Sequence, residues 1–335
     1  MTIRFAALGL DHRHIYGMAE NLAAAGAQFA AWWTDGEPST LPGFRKRFPN
    51  VSQRSKEAIL DDPTIDVILI AAIPKDRAAL AIAAMEANKH VMVDKPGCIS
   101  RDQIDQIRLV QTRMRRIWAV NFSERFEVPA ATAASQLVAD GAIGRVVQTI
   151  GLGPHRLNID TRPDWFFDRA AYGGILTDIA SHQIDQFLHF TGATSAEITM
   201  AAVGNYANPR DPGLQDFGEL ALRAPEGHGY IRVDWYTPDA LPTWGDGRLT
   251  ILGTEGYIEL RKYVDVGGAP GTDHLILVNG TRCEKIDASG VGLPWFRDFL
   301  DDLAEGIASL PPQDHYYTVT ELAIEAQEWA EAAAR

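Results

Sequence analysis

Over the first 121 residues, short apolar runs alternate with stretches of helical periodicity. Ile3–Leu8, Gln28–Thr34, Ile65–Ile73, His90–Asp94 and Ile117–Asn121 read as strands, separated by helices near 14–25, 75–87 and 101–115. Strands apolar on both faces with helices between them predict a parallel, doubly wound sheet. Ser100 and Gln103 make a capping-box pair ahead of Ile104, Ile107 and Val110, which sets the start of the third helix. From Arg145 the order changes. Val146–Gly151, Ala196–Tyr206, Gly218–Arg223, Gly229–Tyr236, Leu249–Gly253 and His274–Val278 read as strands broken by Gly, Pro and Asp turns, with few helices between. That pattern predicts an α+β domain built on a mostly antiparallel sheet. Helices at 294–308 and 318–334 close the chain around Pro311-Pro312.

Length and charge narrow the reading. A chain of 335 residues exceeds what one core normally supports, so two domains are expected, 1–121 and 122–335, with the last helix free to pack back on the first. The net charge of −13 argues against nucleic acid or an anionic membrane as partner, since both demand a basic face. Cys98 and Cys283 are too few for a disulfide framework. The N-terminus lacks a signal-peptide pattern and Ile3–Leu8 is too short to span a bilayer, so a cytoplasmic protein is expected.

The candidate chemistry starts at Lys95. It follows the strand His90–Asp94 and precedes Pro96, which places it at the carboxyl end of a parallel strand, where such sheets carry functional residues. A lysine that merely caps the strand edge is the plainer reading. Downstream, Gly173-Gly174 precedes a helical pattern in which Asp178 and His182 stand one turn apart. A carboxylate one turn before an imidazole can hold it in one tautomer for general-base work. An ordinary solvated i, i+4 pair reads the same way.

The loop after the first strand, Gly9-Leu10-Asp11-His12-Arg13-His14, lies where a dinucleotide fold carries G-x-G-x-x-G. Only the first glycine is kept: Asp11 takes the second position and His14 the third. Asp11 would repel a pyrophosphate unless it turns back to cap the following helix, which is the expected arrangement. Asp35, 26 residues after Gly9, lies where an acidic residue binds an adenosine ribose diol, and so favours NAD over NADP. Asp11, His12 and His14 also resemble a set of metal ligands. Histidines at i, i+2 on a starting helix should diverge, however, and no metal site is expected.

Together these residues resemble the glucose-fructose oxidoreductase and inositol dehydrogenase family (Gfo/Idh/MocA). The family's Glu-Lys-Pro is matched by Asp94-Lys95-Pro96, and its Gly-Gly-x-x-x-Asp-x-x-x-His by Gly173, Gly174, Asp178 and His182. Trp165-Phe166-Phe167-Asp168 resembles the aromatic segment before that glycine pair, and Asn121 with Arg125-Phe126 the crossing between domains. The resemblance implies a Rossmann domain, then an α+β domain with an open-faced sheet that builds a dimer or tetramer. It implies hydride transfer at a hydroxyl carbon of a carbohydrate-like substrate, with NAD as cofactor and NADP the second candidate. By carry-over, Lys95, Asp178 and His182 are catalytic: His182 takes the hydroxyl proton, Lys95 steadies the oxygen and Asp178 positions both. Either Lys95 or His182 can be the formal base. The cofactor would meet Gly9, Asp11, His12, His14, Asp35, Ile73, Pro74, Asp94, Lys95, Pro96 and Asn121. Arg125, His155, Trp165 and Tyr172 would join the catalytic residues in lining a substrate site.

Two departures stand out. The family's Thr-Pro-Asn-x-x-His is Ile73-Pro74-Lys75-Asp76-Arg77 here, with Arg77 standing in for the histidine on a helix face, and the first loop has lost two glycines. A non-catalytic dinucleotide or sugar sensor on the same fold is therefore the alternative, with a metal-dependent hydrolase behind it.

Overall fold

The fold was obtained as a computed structural model, which describes residues 2–309 and 311–333. The chain forms two compact units. One comprises Met1–Asn121, Ala170–Gly173 and Pro294–Thr320; the other comprises Phe122–Arg169, Gly174–Leu293 and Glu321–Arg335. Short segments from beyond residue 121 thus group with the first unit; the sequence pattern assigned 122–335 to the second domain and left the last helix free to pack back on the first.

In the first unit, strands β1 (Arg4–Leu8), β2 (Gln28–Trp33), β3 (Ser52–Gln53), β4 (Val67–Ile70), β5 (His90–Asp94) and β6 (Trp118–Asn121) form one parallel sheet in the order β3-β2-β1-β4-β5-β6. The strand order reverses between β1 and β4, the place where such sheets open a crevice for ligands. Helices His14–Ala24, Pro74–Glu86 and Arg101–Met114 lie close to their predicted positions. The pattern missed β3 and the helices Leu41–Arg47 and Lys56–Leu60, which are too short to show a period. Ser100 caps its helix as expected, accepting from the Gln103 N–H at 3.3 Å, but the Gln103 side chain reaches back to Ile99 N–H rather than to Ser100. Edge strand β6 does not end the hydrogen bonding: the Gln313 amide accepts from Trp118 N–H at 3.1 Å and donates to Trp118 C=O at 2.8 Å.

The second unit holds an eight-stranded sheet of β7 (Val146–Pro154), β8 (Glu197–Gly204), β9 (Phe217–Arg223), β10 (His228–Asp234), β11 (Arg248–Gly253), β12 (Gly256–Arg261), β13 (His274–Asn279) and β14 (Cys283–Ile286). Its order is β14-β13-β12-β11-β7-β10-β9-β8, and every neighbouring pair is antiparallel except β7 with β10. One face is covered by helices. The unpredicted helix Pro129–Ala139 packs through Ala130, Ala131, Ala133 and Ala134 into the core with Ile258, Leu260, Leu275 and Leu277. Helix Ser181–Thr191 lies on β7, where Gly151 and Gly153 remove side chains that would meet Gln183 and Ile179. The opposite face stays half-exposed. The closing helices are Trp295–Glu305 and Gln313–Ala333; residue 334 of the expected last helix lies outside the described residues. No helix among the described residues is long and apolar enough to cross a membrane.

Candidate active site

In the first unit, the chemistry gathers where β5 ends. Asp94 pairs in register with Asn121 of β6, and the peptide between Lys95 and Pro96 is cis. Asp94 is 0% exposed and Arg77 1% exposed. Arg77, read from the sequence as a helix-face residue, is instead a buried clamp. Its guanidinium donates to Ala72 C=O at 2.8 Å, to the carbonyls of Asp94, Lys95 and Pro96, and to Asp94 Oδ2 at 3.0 Å. The backbone on both sides of the buried Lys95 is therefore fixed by one cation, whose five donors suit a fan of acceptors as a lysine's would not.

The loop after β1 is stitched to β4. Gly9 has φ +78°, and a Cβ there would lie 2.4 Å from Ala72 Cβ, so glycine is required twice over. His12 N–H donates to Ala71 C=O at 2.9 Å, and Ala71 N–H to Gly9 C=O at 3.2 Å. Two expectations need correction here. Asp11 does not cap the helix, which begins at His14 with Arg13 in the N-cap position and no side-chain cap. Its carboxyl faces the Ile73 N–H instead, and burial pushes its pKa up to about 6 against the opposing pull of Arg77. Nor do His12 and His14 diverge. His14 Nδ1 bonds Asp94 Oδ1 at 2.8 Å, and His12 Nδ1 lies 2.7 Å from Asp94 Oδ2, bent away from good hydrogen-bond geometry. The rings meet edge to face with centroids 4.4 Å apart. Because the helix starts only at His14, His12 is a loop residue and helical spacing does not govern the pair.

Charge is balanced tightly around Asp94. Burial alone would raise its pKa, but Arg77 and the two histidines hold it well below the usual carboxylate range. Burial pushes His12 down to about 4; Asp94 opposes this, while His14 and the nearby Lys95 add to it. Asp35 is exposed, two residues beyond β2. The glycine turn at Gly9, the uncapped helix start at His14 and the exposed carboxylate of Asp35 fit an NAD pyrophosphate and ribose, while Asp11 and the two imidazoles crowd the loop.

In the second unit, Asp178 and His182 lie on a backbone the sequence did not foretell. Gly173 and Gly174, at φ +92° and +90°, lead into a π-helical turn, Leu176–Ala180, before the α-helix Ser181–Thr191 begins. The wider turn alters the spacing assumed for an α-helical i, i+4 pair; such bulges occur frequently at functional sites. Two N–H groups at its start are satisfied from outside: Leu176 donates to Gln327 Oε1 at 2.9 Å and Ile175 to Gln215 Oε1 at 3.0 Å. The Gln327 amide fills the space a Cβ on Gly174 would need and also donates to Gln215 and Glu331. His182 is 2% exposed, with the Phe122 ring edge-on at 6.5 Å.

Of the other expected lining residues, Arg125 is committed to Asp185 through bonds of 2.7 and 2.6 Å. His155 sits between Trp235 and Trp244, its Nδ1 3.0 Å from Gly153 C=O. Trp165 packs edge-on against Phe166, and Tyr172 is buried and grouped with the first unit. Gln215 and Gln327 were missed. Gln327 had a readable signal, as a lone amide on the stripe Ala323, Ala326, Ala330 of the last helix, all buried.

Comparisons with known proteins agree with this fold. Residues 21–122 match the profile of an oxidoreductase family with an NAD-binding Rossmann fold, and residues 131–259 match that of the GFO/IDH/MocA C-terminal domain. The first match begins beyond the Gly9–His14 loop. A crystal structure from Erwinia carotovora atroseptica, provisionally described as an oxidoreductase, is 44% identical, covers 98% of each chain and superposes with a TM-score of 0.94. Levoglucosan dehydrogenase of Pseudarthrobacter phenanthrenivorans is 33% identical over 184 residues, 53% of this chain. That stretch spans only 46% of the relative's own length. A levoglucosan dehydrogenase solved with NADH and levoglucosan shares the fold over 100% of this chain and 98% of its own, with a TM-score of 0.77 at 21% identity.

Proposed function

Because the chain belongs to the Gfo/Idh/MocA oxidoreductase family, we propose that it is an NAD-preferring dehydrogenase acting on a hydroxyl carbon of a sugar, polyol or inositol-like substrate. The observation that carries this reading is the strand end at Lys95. A buried lysine whose own and flanking carbonyls are held by Arg77 is preorganised at the strand end, where its charge would stabilise a hydroxyl turning into an alkoxide. Lys95 hydrogen-bonds the substrate oxygen and stabilises its developing charge. His182 accepts the hydroxyl proton, and Asp178 orients substrate and imidazole. NAD, when bound, would supply the hydride acceptor. Gly9 and the uncapped helix start would hold its pyrophosphate, and Asp35 would hold the ribose diol and disfavour a 2′-phosphate. The half-exposed sheet face, with Ile150, Leu152, Tyr230, Leu252 and Tyr257, supports a homo-oligomer.

A screen of aldoses, polyols and inositols followed by NADH absorbance tests the activity. Lys95→Met should lower turnover on the order of a hundredfold or more while leaving NAD affinity nearly intact; undiminished turnover removes Lys95 from the mechanism. Asp35→Ser should weaken NAD and narrow its advantage over NADP in calorimetric titrations, and a wild type that prefers NADP overturns the Asp35 assignment. The crowded phosphate loop favours the second reading, a dinucleotide or sugar sensor. Ligand binding with no NADH formed across the screen would select it.

A further inference from the structure

We propose that His12, His14 and Asp94 form a binding site for one divalent transition-metal ion. Their ligand atoms, two imidazole nitrogens and a carboxylate oxygen, all lie within 4.8 Å of one another. Both Nδ1 atoms face the carboxylate, and both side chains are about a quarter exposed, at 27% and 26%, which leaves a path for an ion to enter. Asp94 is completely buried, so an ion it holds is shielded on the carboxylate side.

Three observations favour an ion over a hydrogen-bonded trio alone. First, His12 Nδ1 is buried and makes no hydrogen bond of acceptable direction, although it lies 2.7 Å from Asp94 Oδ2. Second, Arg77 donates to Asp94 Oδ2 and so steers an ion toward Oδ1, the oxygen His14 already faces; ligating carboxylates are commonly hydrogen-bonded through their other oxygen. Third, His14 takes the place where a dinucleotide fold keeps its third glycine, so an imidazole stands where that fold needs none. Two nitrogens and one carboxylate suit zinc, cobalt or ferrous iron, whereas magnesium and calcium prefer all-oxygen sets.

Metal–ligand bonds of about 2.0–2.2 Å would need the nitrogens and oxygen to stand roughly 3.3 Å apart. The observed 2.8 Å between His14 Nδ1 and Asp94 Oδ1 must therefore open slightly, within reach of small side-chain rotations. The nearby charges of Arg77 and Lys95 oppose a dication, so affinity should be micromolar rather than nanomolar. Three protein ligands leave positions open to an oxygen donor such as water, a hydroxyl or a phosphate.

The test is a titration of the chelator-stripped full-length protein with Co²⁺, read by calorimetry and by its visible ligand-field bands, and repeated on His12→Ala and His14→Ala. One ion per chain with micromolar affinity, weakened at least about tenfold in each variant that keeps the wild-type melting temperature, supports the site. No binding up to millimolar Co²⁺, or binding undiminished in both variants, overturns it. Should the variants fail to fold, Zn²⁺ titration of the wild type followed by imidazole ¹⁵N NMR decides. Nδ1 shifts at two histidines at one equivalent support the proposal, and unchanged spectra overturn it.

Discussion

The end of β5 in the first unit and the π-turn of the second solve one problem, holding a polar side chain in a buried setting, by opposite means. Around Asp94 the solution is charge: a carboxylate, a guanidinium and two imidazoles in direct contact, with Lys95 alongside. Ahead of Asp178 and His182 the backbone is held by amides, Gln215 and Gln327 accepting from the N–H groups of Ile175 and Leu176 and donating in turn to Glu331, the ion-pair partner of Arg169. Ionic anchoring is strong only while every partner is present, because an unpaired charge in a buried site loses solvation that nothing replaces. Amide anchoring is weaker per contact, and its failure costs a hydrogen bond rather than a charge. The two regions should therefore respond to mutation and to acid in different degrees.

The largest difference is expected from Arg77→Met. It strips the Asp94 carboxylate and four backbone carbonyls of their donor, and should destabilise the protein by about 3–5 kcal/mol in urea unfolding. Adding Asp94→Asn should recover part of that loss, since the stranded charge is gone. A loss below about 1 kcal/mol would mean that the clamp is not ionic in the sense argued.

Acid should expose the same contrast. His90, at the start of β5, accepts Ile117 N–H on Nδ1 at 3.0 Å, and burial, helped by Arg116, pushes its pKa down to about 4. That lies below the ordinary value of 6.5, so the unfolded chain binds more protons between the two. Stability contributed by neutral His90 is complete above pH 6.5 and is lost as pH falls to about 4, by on the order of 3 kcal/mol. His90→Gln should flatten that part of the pH–stability curve. Hydrogen exchange at pH 5 should rise more in β5 and β6 than in β9 and β10; equal changes would erase the distinction between the units.

The smallest effect belongs to the amide side. Gln327→Leu removes the acceptor of Leu176 N–H and should cost about 1–3 kcal/mol. Faster exchange of the Leu176 amide, with β5 unchanged, would place the damage at the π-turn. A cost matching that of Arg77→Met would show that the two anchors do not differ in kind.

Much of this layout is legible along the chain. The strand His90–Asp94 has its predicted bounds because its apolar run, the turn before it and Pro96 after it are all local signals. Lys95 at a strand end, the glycine pair and the order of motifs could likewise be read without a fold. What could not be read were partners distant in sequence. Arg77 lies 17 residues before Asp94, and their pairing requires the helix Pro74–Glu86 to return its first turn against the end of β5. Residue type could not show that contact. The predicted divergence of His12 and His14 failed for a related reason: the prediction assumed helical geometry, and one turn of loop in its place changes where each ring points.

The amino-acid sequence by itself determined the periodicities, hence the parallel sheet followed by a mostly antiparallel one, and the identity of the groups able to do chemistry. Those are consequences of nearest neighbours and of repeats of two or 3.6 residues, which any short window contains. The tertiary structure alone decided which charge neutralises which, how deeply Asp94 is buried, and that the backbone carrying Asp178 is a π-turn closed by a glutamine 151 residues downstream of Leu176. Burial and ion pairing depend on what the rest of the chain brings to the same place. That arrangement follows from packing the whole molecule and is not encoded within any one segment.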